Sequence, residues 1–214
     1  MLILLPPSEK KKVATSQVKF ELSSLAFAAE LTTARTQATS NYDYSQTSAA
    51  IEIYDGVLYQ GLGWESLSAI QKKHANEKVL IISALFGLVK PLDQIFQYKT
   101  KIDSKFWRDS IATVSEKFAK ELVIDCRSST YKSVWSLNPE NTVDVRVFKV
   151  VNGERSVITH MSKKYRGELT RHLLMHKSEP QTPAEVQAIA ALLFECELHP
   201  PIDGQPWALD LLIS

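Results

Sequence analysis

Residues 2–5, 79–85 and 122–126 (LILL, VLIISAL and LVIDC) are almost unbroken apolar runs, each too short for a helix of ordinary length. A strand with one wet face alternates apolar and polar residues. A strand that stays apolar throughout is covered on both faces, and that happens when helices pack on each side of a sheet. The chain is therefore expected to be α/β, with a mixed central sheet flanked by helices. Its 214 residues suffice for one well-buried core, so residues 1–214 are expected to form a single compact domain.

Residues 143–151 behave differently. Val143, Val145, Val147 and Val151 oppose Asp144 and Arg146, the period of a half-exposed strand. Asn152-Gly153 follows, and these residue types tolerate the positive φ that a type I′ turn needs at both central positions. A β-hairpin is expected, with its returning strand over 155–160.

Helical spacing predicts a helix over 64–74, with Leu67, Ile70 and His74 on one side, and Gly61-Leu62-Gly63 reads as the turn before it. A further helix begins near Ser104 and carries Phe106-Trp107 as a core anchor. Thr182-Pro183-Ala184-Glu185 has the form of a capping box ahead of Val186, Ile189, Ala190 and Leu193. Residues 32–48, rich in Ser, Thr and Gln, read as a long loop or a weakly ordered helical region.

Directly behind the hairpin, residues 161–177 (MSKKYRGELTRHLLMHK) form a basic helix. At about 100° per residue, Tyr165, Leu169 and Leu173 share one face, while Lys163, Lys164, Gly167 and Arg171 share another. A glycine between cations leaves a groove into which a phosphate could sit close to the backbone. A solvated basic surface helix is the other reading of the same run. The net charge of +1 hides a segregation: residues 1–177 hold 25 basic and 18 acidic side chains, and residues 178–214 hold none and six. If that acidic stretch packs away from the cations, a positive field survives the near-neutral total.

Polar residues cluster after the apolar runs, where ligands gather in α/β sheets. Lys10, Ser83, Asp125, Arg127 and Tyr131 could thus form a pocket for a nucleotide or another phosphorylated small molecule, and whether the chain has a catalytic activity is left open. Lys101, Lys105 and Arg108 add cations at helical spacing, and Lys10, Lys11 and Lys12 form another cluster. No cofactor motif is present, and no metal is expected, since His172 and His176 lack a third ligand. Cys126 and Cys196 fit no zinc or disulfide pattern and read as small buried hydrophobes, with a redox-sensing role for Cys126 left open. The apolar start is too short for a secretory signal and no run approaches the roughly 18 residues of a membrane span. A cytoplasmic protein is expected.

The pieces MLILLPPSEK at the start, YDGVLYQGL from Tyr54, SALFGLVKPLDQIFQYKTKI from Ser83, FW at Phe106, VIDCRSSTYKSV from Val123 and NGERSVITHMSKKYRGELTR from Asn152 run in order along the chain. Together they resemble the YaaA-like peroxide stress proteins. Lys163, Lys164, Arg166, Gly167 and Arg171 match that family's Lys-Lys-x-Arg-Gly-x-x-x-Arg pattern. The resemblance implies a cytoplasmic protein of the hydrogen peroxide stress response that binds duplex or branched DNA in a basic cleft without strong sequence preference. It also implies a helix-hairpin-helix element, for which Phe86-Gly87-Leu88 offers a hairpin glycine, and DNA repair or recombination proteins as partners. Lys90, Lys99 and Lys101 are the candidates for the cleft's other wall. The start departs from the family's Ser-Pro-Ala-Lys, moving the first cation to Lys10. Lys99 stands where the family has arginine, which keeps the charge and loses the bidentate fork.

Overall fold

The computed structural model describes residues 1–16, 18–42, 46–158 and 161–213. In chain order its strands are β1 (Leu2–Leu5), β2 (Ser48–Ala49), β3 (Val79–Ser83), β4 (Gly87–Val89), β5 (Gln94–Ile95), β6 (Val123–Asp125), β7 (Thr142–Val151), β8 (Glu154–Val157), β9 (Glu195–His199) and β10 (Trp207–Ile213). The helices are α1 (Ala28–Thr39), α2 (Ala50–Ile53), α3 (Val57–Leu62), α4 (Ala69–Lys78), α5 (Ser104–Ser115), α6 (Ser129–Lys132), α7 (Ser162–Met175) and α8 (Pro183–Ala190). The main sheet runs β4-β3-β1-β6-β7-β10-β9, with β8 paired to β7. Strands β3, β1, β6, β7 and β10 are parallel, and β4, β8 and β9 are antiparallel to their neighbours. The expected α/β class with a mixed central sheet is what forms.

The apolar runs are buried on both faces, as their composition requires. Ile3, Leu5, Val79, Ile81 and Ile124 point to one core with Leu58, Leu169 and Leu173, and Leu2, Leu4, Leu80, Ile82 and Val123 point to the other with Leu31, Trp107 and Ile111. The second layer stops short of β7, so Asp144 and Arg146 face partly outward. There they pair with Lys132 at 2.5 Å and with Asp210, the latter through both guanidinium arms at 2.5 and 2.9 Å. The hairpin closes on Asn152 and Gly153 at φ 51° and 82°. Its returning strand ends at Val157, and residues 159 and 160 lie outside the described residues.

Four helical expectations shift. Residues 64–74 form no single helix: Trp64–Ser66 is one 3-10 turn, and α4 starts afresh behind Ser68, which accepts from the Gln71 amide while Gln71 reaches back to the Ser68 amide. Ile70 is 83% exposed, so it lies off the apolar face. Residues 28–39 are a regular helix, where the Ser/Thr content of 32–48 suggested a loop or a weakly ordered helical region. The Thr32, Thr36 and Thr39 hydroxyls donate back to carbonyls one turn earlier, which lets threonine sit in a helix. The same helix is anchored by fully buried Arg35, which donates to the Phe86, Ala26 and Leu88 carbonyls. Residues 43–45 of that stretch lie outside the described residues. At α8, Thr182 accepts from the Glu185 amide as expected, but the Glu185 carboxylate turns to the Gln181 amide, so the reciprocal half of the box is displaced by one residue. Gly61 is not in a turn but inside α3, with Gly63 capping that helix at φ 61°.

Helices α3 and α7 cross with nothing between their backbones. A Cβ on Gly167 would lie 2.0 Å from the Leu58 carbonyl oxygen, and one on Gly61 would lie 2.4 Å from that of Lys164. The contact is backbone on backbone, so no side chain can rotate away to make room. Gly167→Ala is expected to destabilise the fold by about 3 kcal/mol or more in urea denaturation. Gly153→Ala, where φ is 82° and nothing lies within 4 Å, should cost only about 1 kcal/mol.

Candidate functional site

A cleft of about 1260 Å³ opens at the carboxyl ends of β1 and β6. One wall is the chain leaving β1, from Pro6 to Lys11. A second is 55–60, which includes most of α3. Residues 99–102 ahead of α5, the start of α6 with Tyr131, and Lys163 at the head of α7 complete it. The walls are fastened to one another. The Lys12 amide donates to the Ile53 carbonyl at 2.8 Å, the Asp55 amide to Lys10 at 3.0 Å, the Tyr59 hydroxyl to Pro6 at 2.8 Å and the Gln97 side chain to Lys11 at 3.2 Å.

Five lysines, 10, 11, 99, 101 and 163, stand on this wall against two carboxylates, Glu9 and Asp55. Asp55 is engaged by Lys10 at 2.7 Å, and Lys10 remains 76% exposed. Lys99, Lys101 and Lys163 are exposed and, among the described residues, make no ion pair. Lys11 is different. Its side chain is half-buried, lies over the Tyr98 ring at 4.2 Å from the centroid and donates to the Ser8 carbonyl at 2.8 Å. Burial lowers its pKa, and the nearby Glu9 carboxylate opposes that only in part.

Beneath the cleft, Tyr54, Tyr98 and Ser83 form a buried hydroxyl chain at 3.0 and 2.9 Å. Burial raises the pKa of Tyr54 and Tyr59 well above the ordinary phenol, raises that of Tyr98, and brings Tyr131 to about 12. All four phenols are therefore neutral at physiological pH and add no negative charge to the floor.

Of the residues expected from the sequence, Lys10, Lys99, Lys101, Lys163 and Tyr131 meet in this cleft. The others are used elsewhere. Ser83 is fully buried and accepts from the Leu85 and Phe86 amides. Asp125 and Arg127 are buried as a bidentate pair at 2.8 and 2.9 Å, and Arg127 also donates to the Tyr131 and Trp135 carbonyls at 3.3 and 3.0 Å. Their charges are spent holding α6 and Tyr131 in place, so they form no open phosphate pocket. Lys90 follows β4 at the edge of the sheet, separated from β1 by β3, and does not line the cleft. Gly167 is buried against α3 and does not floor a groove. Lys164 faces Glu168 at 3.4 Å, Arg166 donates to Val145 at 3.1 Å, and Arg171 donates to Leu62 and Gly63 at 3.1 and 2.9 Å. The Phe86-Gly87-Leu88 glycine joins β3 to β4, so it belongs to a strand hairpin and not to a helix pair. Its lack of a Cβ admits the Trp107 ring.

Sequence reasoning left Asp55, Tyr59 and the special position of Lys11 unremarked. The signal was present: the cleft-lining residues, Lys11 excepted, come from five of the six pieces that carry the family resemblance.

None of the lining residues belongs to the acidic stretch beyond Lys177. Three of its six carboxylates pair with other cations: Glu179 with the amino terminus and Lys78, Glu197 with Arg155, and Asp210 with Arg146. Among the described residues the one group able to gather on a cation is Glu197, His199 and Asp210, far from the cleft residues in sequence and already held by these arginines. No described helix is long and apolar enough to cross a membrane.

Fold and cleft together define an α/β protein with a lysine-lined groove at the carboxyl ends of its parallel strands. A family profile described as peroxide stress protein YaaA matches residues 23–197. A UPF0246 protein of Streptomyces coelicolor is 34% identical over 175 residues, covering 76% of this chain and 67% of the relative. One from Corynebacterium glutamicum is 32% identical over 231 residues, covering 89% and 91%. One from Francisella tularensis subsp. novicida is 30% identical over 156 residues, covering 65% and 61%. The chain belongs to the YaaA peroxide stress protein family, and membership supports a role related to peroxide stress.

Removing one partner of the buried pair leaves the other charge stranded, so Asp125→Ala should lower stability by about 3–5 kcal/mol in chemical denaturation. Cys126 is fully buried and its thiol is pushed up to about 12 by desolvation. It should resist alkylation and peroxide in the native protein at neutral pH and react once the chain is unfolded, as mass spectrometry would read.

Proposed function

We propose that this chain is a cytoplasmic DNA-binding protein of the peroxide stress response that holds the phosphates of duplex or branched DNA along the lysine-lined cleft. The observation that carries this reading is the convergence of Lys99, Lys101 and Lys163, from distant parts of the chain, as exposed cations without carboxylate partners among the described residues. Lysine is a point charge on a flexible stem, suited to phosphate and poor at reading base edges, which supports binding without strong sequence preference. The neutral phenols and the pairing of the acidic stretch with other cations leave the local field positive.

A salt titration followed by fluorescence anisotropy tests it. Affinity should fall linearly on a log–log plot, and Lys99→Ala, Lys101→Ala or Lys163→Ala should each flatten the slope by about one unit, equally on unrelated sequences. Arg171→Ala, whose guanidinium serves the α3 carbonyls, should lower stability and leave the slope unchanged. Salt-independent binding, or variants that keep the parent slope, would overturn the reading.

One observation favours a second reading, an enzyme acting on a phosphorylated small molecule: Lys11 and Tyr131 are half-buried functional groups inside the cavity, not rim charges. A thermal-shift panel of nucleotides and sugar phosphates addresses it, since a ligand that binds only the native state raises Tm.

A further inference from the structure

Among the lysines of the cleft, Lys11 alone is withdrawn from the rim. Its backbone is pinned by the bridge to Tyr54, and its side chain lies against the Tyr98 ring at 4.2 Å and the Tyr54 ring at 5.8 Å. Its ammonium group has a carbonyl acceptor, Ser8, and among the described residues no carboxylate at ion-pair distance, whereas neighbouring Lys10 takes Asp55. Part of the hydration of this amine is gone, which eases loss of its proton, and the nearby Glu9 carboxylate opposes that only in part. These are the conditions under which a lysine becomes a nucleophile toward carbonyl carbon.

We propose that Lys11 is a carbonyl-reactive amine, and that the cleft takes an aldehyde carried close to a phosphate. The rim lysines hold the phosphate and the Lys11 nitrogen attacks the aldehyde carbon. The C–N bond forms, the nitrogen gives up its two protons, and the carbonyl oxygen leaves with them as water, which yields an imine without any oxidant or reductant. Partial burial favours the unprotonated form of Lys11 relative to the rim lysines, and the protonated Tyr131 hydroxyl lines the same cavity as a hydrogen-bond donor for the departing oxygen. This inference rests on the cleft as a phosphate-holding surface. Two sources present the chemistry: a base-free deoxyribose in DNA, flanked by phosphates, and a free sugar phosphate.

Reductive trapping with cyanoborohydride separates them. The whole protein is incubated at neutral pH with an oligonucleotide carrying one abasic site, with ribose 5-phosphate, or with ribose, and the reduced adduct is located by peptide mass spectrometry. An adduct mapping to Lys11 in preference to the other lysines, formed with either phosphate-bearing aldehyde and not with ribose, is the expected result, and which of the two forms it names the source. Lys11→Arg keeps the charge and the packing over Tyr98 and should lose the adduct while retaining its melting temperature. Labelling spread over surface lysines, or an adduct undiminished in Lys11→Arg, overturns the proposal. Intact duplex that binds with the expected salt slope while no Lys11 adduct forms would sink this inference alone. An adduct with ribose 5-phosphate in a protein that does not bind DNA would sink the DNA reading alone.

Discussion

The backbone of α7 rests directly on that of α3, and the cleft exists because it does. Gly167 and Gly61 meet the carbonyls of Leu58 and Lys164 where any side chain would collide. Arg171 then latches the far end of α3 by donating to Leu62 and Gly63. The wall from Asp55 to Gln60 and the cation at Lys163 are thereby set beside each other, although more than a hundred residues separate them in sequence. A larger residue at either glycine would part the helices and move Lys163 from the wall it completes. Residues that look like phosphate ligands in a linear reading of α7 are thus mostly the hardware of this crossing: the glycine is the contact, Arg171 the latch, and Arg166 a tie to β7.

The same logic explains how a chain of net charge +1 gathers five lysines and only two carboxylates on one groove. The acidic carboxyl-terminal stretch is not a free tail but supplies α8, β9 and β10, and β10 runs the length of β7 in parallel register. That addition places Glu197 on β9 and Asp210 on β10, against Arg155 and Arg146, while the amino terminus and Lys78 take Glu179. Charge that would quench the cleft is used to fasten the added strands. The cleft keeps two carboxylates, one of them bound by Lys10, and a floor of phenols that burial holds neutral.

What could be read in the chain was whatever local chemistry decides. The runs at β1, β3 and β6 announce strands covered on both faces, and Asn152-Gly153 can hardly be anything but a tight hairpin. Hidden from that reading was everything decided by contact between distant segments. Threonines weaken the helical signal of α1, yet a buried arginine with three backbone carbonyls holds it in place. Gly167 between cations looks like a groove because the sequence cannot show α3 arriving to fill it. Asp125 and Arg127 stand where a ligand is expected in an α/β sheet, and they turn toward each other because burial makes an unpaired charge costly. Lys10, Lys99, Lys101 and Lys163 were recognisable as cations, but their meeting is a property of the folded chain alone.

Membership in a peroxide stress family raises the question of where the oxidant acts. Reaction of a cysteine with peroxide needs an accessible thiolate. Cys126 is enclosed in the core and its pKa of about 12 keeps it a thiol, and partial burial moves Cys196 in the same direction. Both cysteines of the chain are thus poorly suited to reading peroxide. The polar groups that line the cleft include amines and phenols. On the two proposals made above, peroxide would bear on this surface indirectly, through a carbonyl carbon beside phosphate that the half-buried Lys11 is placed to meet.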